Sequence, residues 1–139
     1  MPRPTTALII DDEAHVRVYL RMVLKSLGVM SIMEASHGEE ALHMYADYHP
    51  EVVLLDVILP GLTSQFVLQE ILAMDSQAAV IIVTSQNSSK TVQEMHDLGA
   101  VSYLLKHTPR EQMMKMLAET LDWIGEGMPE TEGEGPSSS

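Results

Sequence analysis

No cysteine occurs in the 139 residues, which excludes disulfides and thiolate metal sites and leaves the redox compartment open. Positive charge is scarce. Against 20 aspartates and glutamates stand 8 lysines and arginines, a formal charge of −12. Binding to a phosphate backbone needs a basic face, so no direct contact of this chain with nucleic acid is expected. Four glutamates (126, 130, 132 and 134) lie after Ile124; subtracting them from −12 leaves −8 on the rest, and solubility is the plain account of both parts. No apolar run approaches the roughly 20 residues of a membrane-spanning helix, so no membrane partner is expected. The first six residues lead straight into a strand without a signal-peptide pattern, which makes the cytoplasm the expected compartment. A phosphate-cradling glycine-rich loop is absent too, which argues against a nucleotide-binding protein.

What the chain does contain is alternation. Short branched apolar runs over Ala7–Ile10, Val29–Ala35, Val52–Leu55, Val80–Val83 and Val101–Leu105 read as strands, and their lack of polar interruption as burial on both faces of a parallel sheet. Between them lie helical spacings. Val16, Leu20, Val23, Leu24 and Leu27 mark a first helix over 13–27, stopped by Gly28. Ser36 with Glu39 predicts a capping box for a second, Leu62 to Met74 a third, and Asn87 or Ser88 caps a fourth that ends at Gly99. Thr108, Pro109 and Glu111 predict a cap, a first-position proline and a capping-box acid for the last helix, which presents Met113, Met116, Leu117, Leu121 and Ile124. The fold class is therefore α/β, five strands with five helices. Residues 5–124 form one domain, and 125–139, rich in Gly, Pro, Glu and Ser, are expected to be a disordered tail.

The polar residues that end these strands carry the chemistry. Asp11 and Asp12 follow the first, Asp56 the third, Thr84 the fourth and Lys106 the fifth. Ligands of open α/β sheets bind outside the carboxyl ends of the strands, so all five are expected in one crevice. Three carboxylates held together raise each other's pKa unless a cation neutralises them. Mg²⁺ suits, because it keeps several waters and takes one or two carboxylates plus substrate oxygens. Phosphoryl transfer asks a protein mainly for positioning and charge compensation. Asp56, alone at its strand end, is the candidate nucleophile, Lys106 a point charge for a phosphoryl oxygen, and the Thr84 hydroxyl a donor to another.

These strings and spacings resemble the receiver domain of two-component response regulators, and are similar to its single-domain chemotaxis member. The resemblance covers about residues 5–124. It rests on Ile9-Ile10-Asp11-Asp12-Glu13 with Arg17, Glu34-Ala35 with Gly38-Glu39-Glu40-Ala41-Leu42, Leu54-Leu55-Asp56 with Pro60, Thr84-Ser85, and Leu98-Gly99-Ala100 before Tyr103-Leu104-Leu105-Lys106. It implies a flavodoxin-like doubly wound sheet of order 2-1-3-4-5. It implies Asp56 as phosphoacceptor, Asp12 as direct metal ligand, Asp11 as ligand through water and the Ile58 carbonyl completing the metal site. Thr84 would be the switch hydroxyl and Tyr103 the aromatic that swings inward. The partners implied are a sensor histidine kinase or phosphotransfer protein, and a target or second copy on the face of the fourth helix, fifth strand and fifth helix. Such a protein is no enzyme beyond its own phosphorylation and dephosphorylation.

The chain departs from that pattern at His107, where proline usually follows the lysine, at Ser64, where glycine is common, and at Leu59, where methionine is common. Ile58 and Gln86 flank the phosphorylation site at positions that tune hydrolysis in the family, and an apolar Ile58 predicts slow loss of the phosphoryl group. Two other function classes compete with this reading. A phosphohydrolase using an aspartyl phosphate would place a second acid two residues after the nucleophile, where Ile58 cannot transfer protons. A receiver-like binding module that works without phosphate has no need of all five polar residues. The six histidines share no metal-ligand spacing and read as surface residues.

Overall fold

The computed structural model describes residues 3–85 and 89–129. The elements alternate strictly: β1 Thr6–Ile10, α1 Ala14–Ser26, β2 Ser31–Ala35, α2 Gly38–Tyr48, β3 Val52–Asp56, α3 Ser64–Met74, β4 Val80–Thr84, α4 Ser89–Asp97, β5 Ser102–Leu105 and α5 Arg110–Gly125. The five strands are all parallel in the order β2-β1-β3-β4-β5. This is the expected doubly wound architecture. Every residue of β3 and β4 is buried, as central strands covered on both faces require.

Side chains alternate between faces along each strand, and that alternation divides the core in two. Leu8, Ile10, Val53, Leu55, Val80 and Ile82 pack with Ala41, Tyr45, Val67, Leu68, Ile71 and Met95 of α2, α3 and α4. Ala7, Ile9, Leu54, Ile81, Val83 and Leu104 pack instead with Leu20, Val23 and Leu24 of α1 and Met113, Leu117 and Leu121 of α5. The order of the strands reverses between β1 and β3, so the loops after those two strands diverge and leave a crevice at the carboxyl edge.

Element ends differ from expectation by one or two residues, each for a local reason. The α2 cap is His37, whose Nδ1 accepts from Glu40 N at 3.3 Å, while Ser36 N donates to Glu40 Oε1 at 2.9 Å. The box expected from Ser36 and Glu39 is thus shifted by one, because an imidazole nitrogen can accept like a hydroxyl. Thr63 caps α3 by accepting from Phe66 N, so Leu62 stays outside. Pro109 takes the cap position of α5 rather than its first turn, and no side chain caps that helix. Met30 N and Ser31 N both donate to Thr5 O, which delays β2 past Val29. At the other end α5 runs through Gly125, and the chain folds back with Trp123 Nε1 donating to Pro129 O at 2.9 Å. Residues 125–129 of the expected tail are thus folded onto the end of α5, and residues 130–139 lie outside the described residues, as do the Asn87 and Ser88 cap positions and Gln86. All six histidines are exposed. No helix of the described residues is long and apolar enough to cross a membrane.

Gly38 opens α2 where α3 crosses it. A Cβ there would lie 2.5 Å from Val67 Cγ2 and 3.1 Å from Leu62 Cβ. Gly38→Ala is expected to cost about 1–3 kcal/mol by overpacking, read by urea unfolding. Adding Val67→Ala should recover part of that loss, and a loss that Val67→Ala leaves untouched would show the crowding argument to be wrong.

Candidate functional site

The site is assembled by the carboxyl ends of β1, β3, β4 and β5. Strand register sets Ile10 beside Leu55, Asp56 beside Val83 and Thr84 beside Leu105, so the residues next along the chain share one edge. Asp11 continues β1 by one bond, its N–H donating to Ala35 O at 3.1 Å. Its Oδ1 then accepts from Glu13 N at 2.9 Å, which turns the chain into α1. Asp56 ends β3, and its Oδ1 accepts from Ile58 N at 3.3 Å. Lys106 leaves β5 with its N–H bonded to Thr84 O at 2.8 Å. The Lys106–His107 bond is trans, and the lysine still enters the crevice.

There its Nζ lies 2.8 Å from Asp11 Oδ2, 3.1 Å from Asp56 Oδ2 and 3.2 Å from Glu13 Oε1. The Lys106 side chain is only 9% exposed, and that of Asp11 only 1%. Oxygens of Asp11, Asp12 and Asp56 all lie within 4.8 Å of one another, with Asp11 and Asp56 buried and Asp12 exposed. Thr84 is buried at the end of β4. Tyr103 is half-buried on the α4 side of the sheet and borders a cavity of about 200 Å³ with Val92, Gln93 and His96. Asp11, Asp12, Asp56 and Lys106 thus lie together, with Thr84 at the end of the neighbouring strand β4. Ile58 follows Asp56 by two residues and bonds to it through its N–H, and Ile58 is 67% exposed.

Charge is unbalanced here. Burial, and then the neighbouring charge of Asp11, push the Asp56 carboxyl above the usual carboxylate range, and Lys106 only partly offsets this. Burial also works against the Lys106 ammonium, yet the Asp11 and Asp56 carboxylates outweigh it and hold the pKa above the ordinary lysine value. Both shifts are upward, yet they disfavour the charged form of Asp56 and favour that of Lys106, because one cation serves several anions: Lys106 gains from each, while each carboxylate has a share of one ammonium. Asp11 Oδ2 is buried and, although paired in charge with Lys106, lies outside hydrogen-bonding angle of any partner among the described residues. Three carboxylates with oxygens within 4.8 Å of one another, served by a single ammonium, are a surplus of hard oxygen donors that fits a divalent cation such as Mg²⁺.

Two sets of contacts at the site have no counterpart in the linear pattern. Glu13 is a third anion on Lys106, legible only as the acid after Asp11-Asp12. Arg17 and Arg21 of α1 both grip Glu34 of β2 at 3.1 Å, a link between two strings that looked independent in the sequence. His107 lies exposed on the wall of a groove of about 670 Å³ that also takes in Glu13, Tyr19, Lys106 and Arg110.

Residues 7–118 match the family model of the response regulator receiver domain. The chain belongs to this family. It is 26% identical to the chemotaxis protein CheY of Bacillus subtilis over 115 residues, 83% of this chain and 96% of that one. It is 31% identical to the sporulation initiation phosphotransferase F of the same species, over 71% of this chain and 79% of that one. The receiver in the CheX–CheY–BeF3–Mg complex of Borrelia burgdorferi superposes with a TM-score of 0.75 at 26% identity, covering 81% of this chain and 86% of that chain. Proteins of this family act in two-component systems, with histidine kinases and downstream targets as partners. The strand order and helix placement of this receiver agree with such relatives.

The raised carboxyl of Asp56 has a stability consequence. For an acid whose folded pKa lies above its unfolded value, ionisation opposes folding at pH above the folded value, and the penalty vanishes below the unfolded one. In metal-free protein at pH 7, Asp56→Asn is therefore expected to raise the unfolding midpoint, a gain of about 1 kcal/mol being roughly 4 °C in a domain of this size. The gain should fade as the pH drops below the carboxylate range. An unchanged or lower midpoint at pH 7, read by circular dichroism, would count against the charge imbalance.

Proposed function

We propose that this receiver is a phosphorylation-controlled switch, with residues 5–124 as the working domain, acting in the cytoplasm. Asp56 accepts a phosphoryl group from the phosphohistidine of a sensor kinase or phosphotransfer protein. The observation that carries this reading is the buried Asp56 carboxylate paired with Lys106 at 3.1 Å, beside Asp11 at the mouth of the crevice. An Asp56 oxygen attacks phosphorus, the phosphorus–nitrogen bond breaks, and its electron pair returns to the donor imidazole. Asp11, Asp12, Asp56 and the Ile58 carbonyl would hold Mg²⁺, which when bound neutralises charge on the transferring group. Lys106 exchanges part of its carboxylate pairing for a phosphoryl oxygen, and the Thr84 hydroxyl donates to another. A two-state element biased by one phosphoryl group then alters a surface. Here that element is Thr84 with Tyr103, next to the cavity under α4, and the surface is the α4–β5–α5 face. It binds a downstream protein or a second copy, and no nucleic acid. Support also comes from the relatives: one is a chemotaxis protein, one a phosphotransferase, and one receiver structure contains BeF3 and Mg.

Intact mass after incubation with Mg²⁺ and a small acyl phosphate tests the reading. A gain of one phosphoryl group is expected, lost without Mg²⁺ and lost in Asp56→Asn. No gain in folded protein would leave a binding module that works without phosphate as the better account.

Hydrolysis needs a water aligned with phosphorus, and the apolar Ile58 offers no polar group to align it. The phosphorylated form is therefore expected to persist for minutes or longer after donor removal, and Ile58→Asn to shorten its life several-fold. A half-life of seconds in the wild-type protein, followed by mass, contradicts this.

A further inference from the structure

A carboxylate is only as well placed as the backbone that carries it. Asp11 and Asp56 both stand where a strand ends and regular pairing is lost, and at both places a side chain of the following helix takes over. Arg17 of α1 donates from Nη1 to the Asp11 carbonyl at 2.6 Å, and from Nε to Glu34 Oε1 at 3.1 Å. Glu34 is held a second time by Arg21 Nη1, at 3.1 Å, and Arg21 also bonds Ile32 O at 3.2 Å. The planar guanidinium with its fixed donors suits such bridging. Ser64, in the first turn of α3 and 1% exposed, donates its hydroxyl to the Asp56 carbonyl. The N–H of the same peptide unit, on Val57, donates to Val83 O at 3.2 Å, so both polar atoms of that unit are bound.

We infer that Arg17 and Ser64 are positioning residues, which clamp the Asp11–Asp12 and Asp56–Val57 peptide planes and thereby set the carboxylates for a divalent cation. A peptide unit is rigid; fixing the Asp11 carbonyl therefore restricts the frame from which Asp12 departs as well. The Ser64 hydroxyl stands where the resemblance leads one to expect glycine, which has no side chain to offer. The inference rests on the cation-dependent reading proposed above.

Charge and clamping predict opposite signs at Arg17. Removing a nearby positive charge strengthens cation binding by Coulomb's law, whereas releasing the clamp weakens it. Loss of an outer support of this kind typically costs about 10–100-fold in metal affinity. The experiment is Mg²⁺ titration by calorimetry of the whole chain and of Arg17→Ala, Ser64→Ala and Arg21→Ala, with circular dichroism to verify folding. Arg17→Ala and Ser64→Ala should each bind Mg²⁺ at least about tenfold more weakly. Arg21→Ala, which removes the same charge without touching the Asp11 carbonyl, should bind as the wild type or more tightly. Equal or tighter binding by folded Arg17→Ala and Ser64→Ala overturns the clamp, as does an equal loss in Arg21→Ala. A wild-type chain that takes up no Mg²⁺ overturns the cation-dependent reading itself, so the two failures are distinguishable.

Discussion

The ammonium of Lys106, buried among Asp11, Asp56 and Glu13, is the interaction on which the rest of this molecule's site depends. Three strands and one loop must meet for it to form, since Lys106 follows β5 while the carboxylates follow β1 and β3. A single cation among several anions satisfies geometry without satisfying charge. The surplus is visible in the Asp56 carboxyl, driven upward by burial and by Asp11, and in the three carboxylates gathered within 4.8 Å of one another. Stability would favour fewer acids here, so the imbalance is the kind of local cost that functional sites carry.

That cost is tolerable because the frame beneath it is rigid. β3 and β4 are buried along their whole length, and two separate cores clamp the sheet from either face. Close-packed interiors deform little, so the strand ends act as fixed anchors. From them, the polar groups need only short side chains to converge. The helices contribute more than cover. Arg17, Arg21 and Ser64 reach back from α1 and α3 onto β1, β2 and β3, which ties the helix positions to the backbone of the two aspartates.

The helix caps illustrate what a linear reading misses and why. Ser36 and Thr108 look like better caps than His37 and Pro109, and on local preference alone they are. The helices start one residue later because their first turns must also pack on their neighbours: Gly38 lies under Val67 of α3, and α5 brings Met113 onto the core. Packing decides between adjacent positions whose intrinsic preferences differ by little.

Element order, the parallel sheet and the placing of Asp11, Asp12, Asp56, Thr84 and Lys106 at the carboxyl ends of strands were all determined by the sequence itself. Each depends on a pattern of short range: a buried strand is a run of branched apolar residues, and a polar residue directly after it must emerge at the carboxyl edge. The tertiary structure decided what depends on distance between segments far apart in the chain. Glu13 joins Lys106 across 93 positions, and Arg17 joins Glu34 across 17. Ser64 bonds the Asp56 carbonyl only because α3 folds back on β3, and the apolar Ile58 is left largely exposed to solvent. No periodicity encodes such pairings, because they follow from how rigid elements dock, which is settled by the whole core at once.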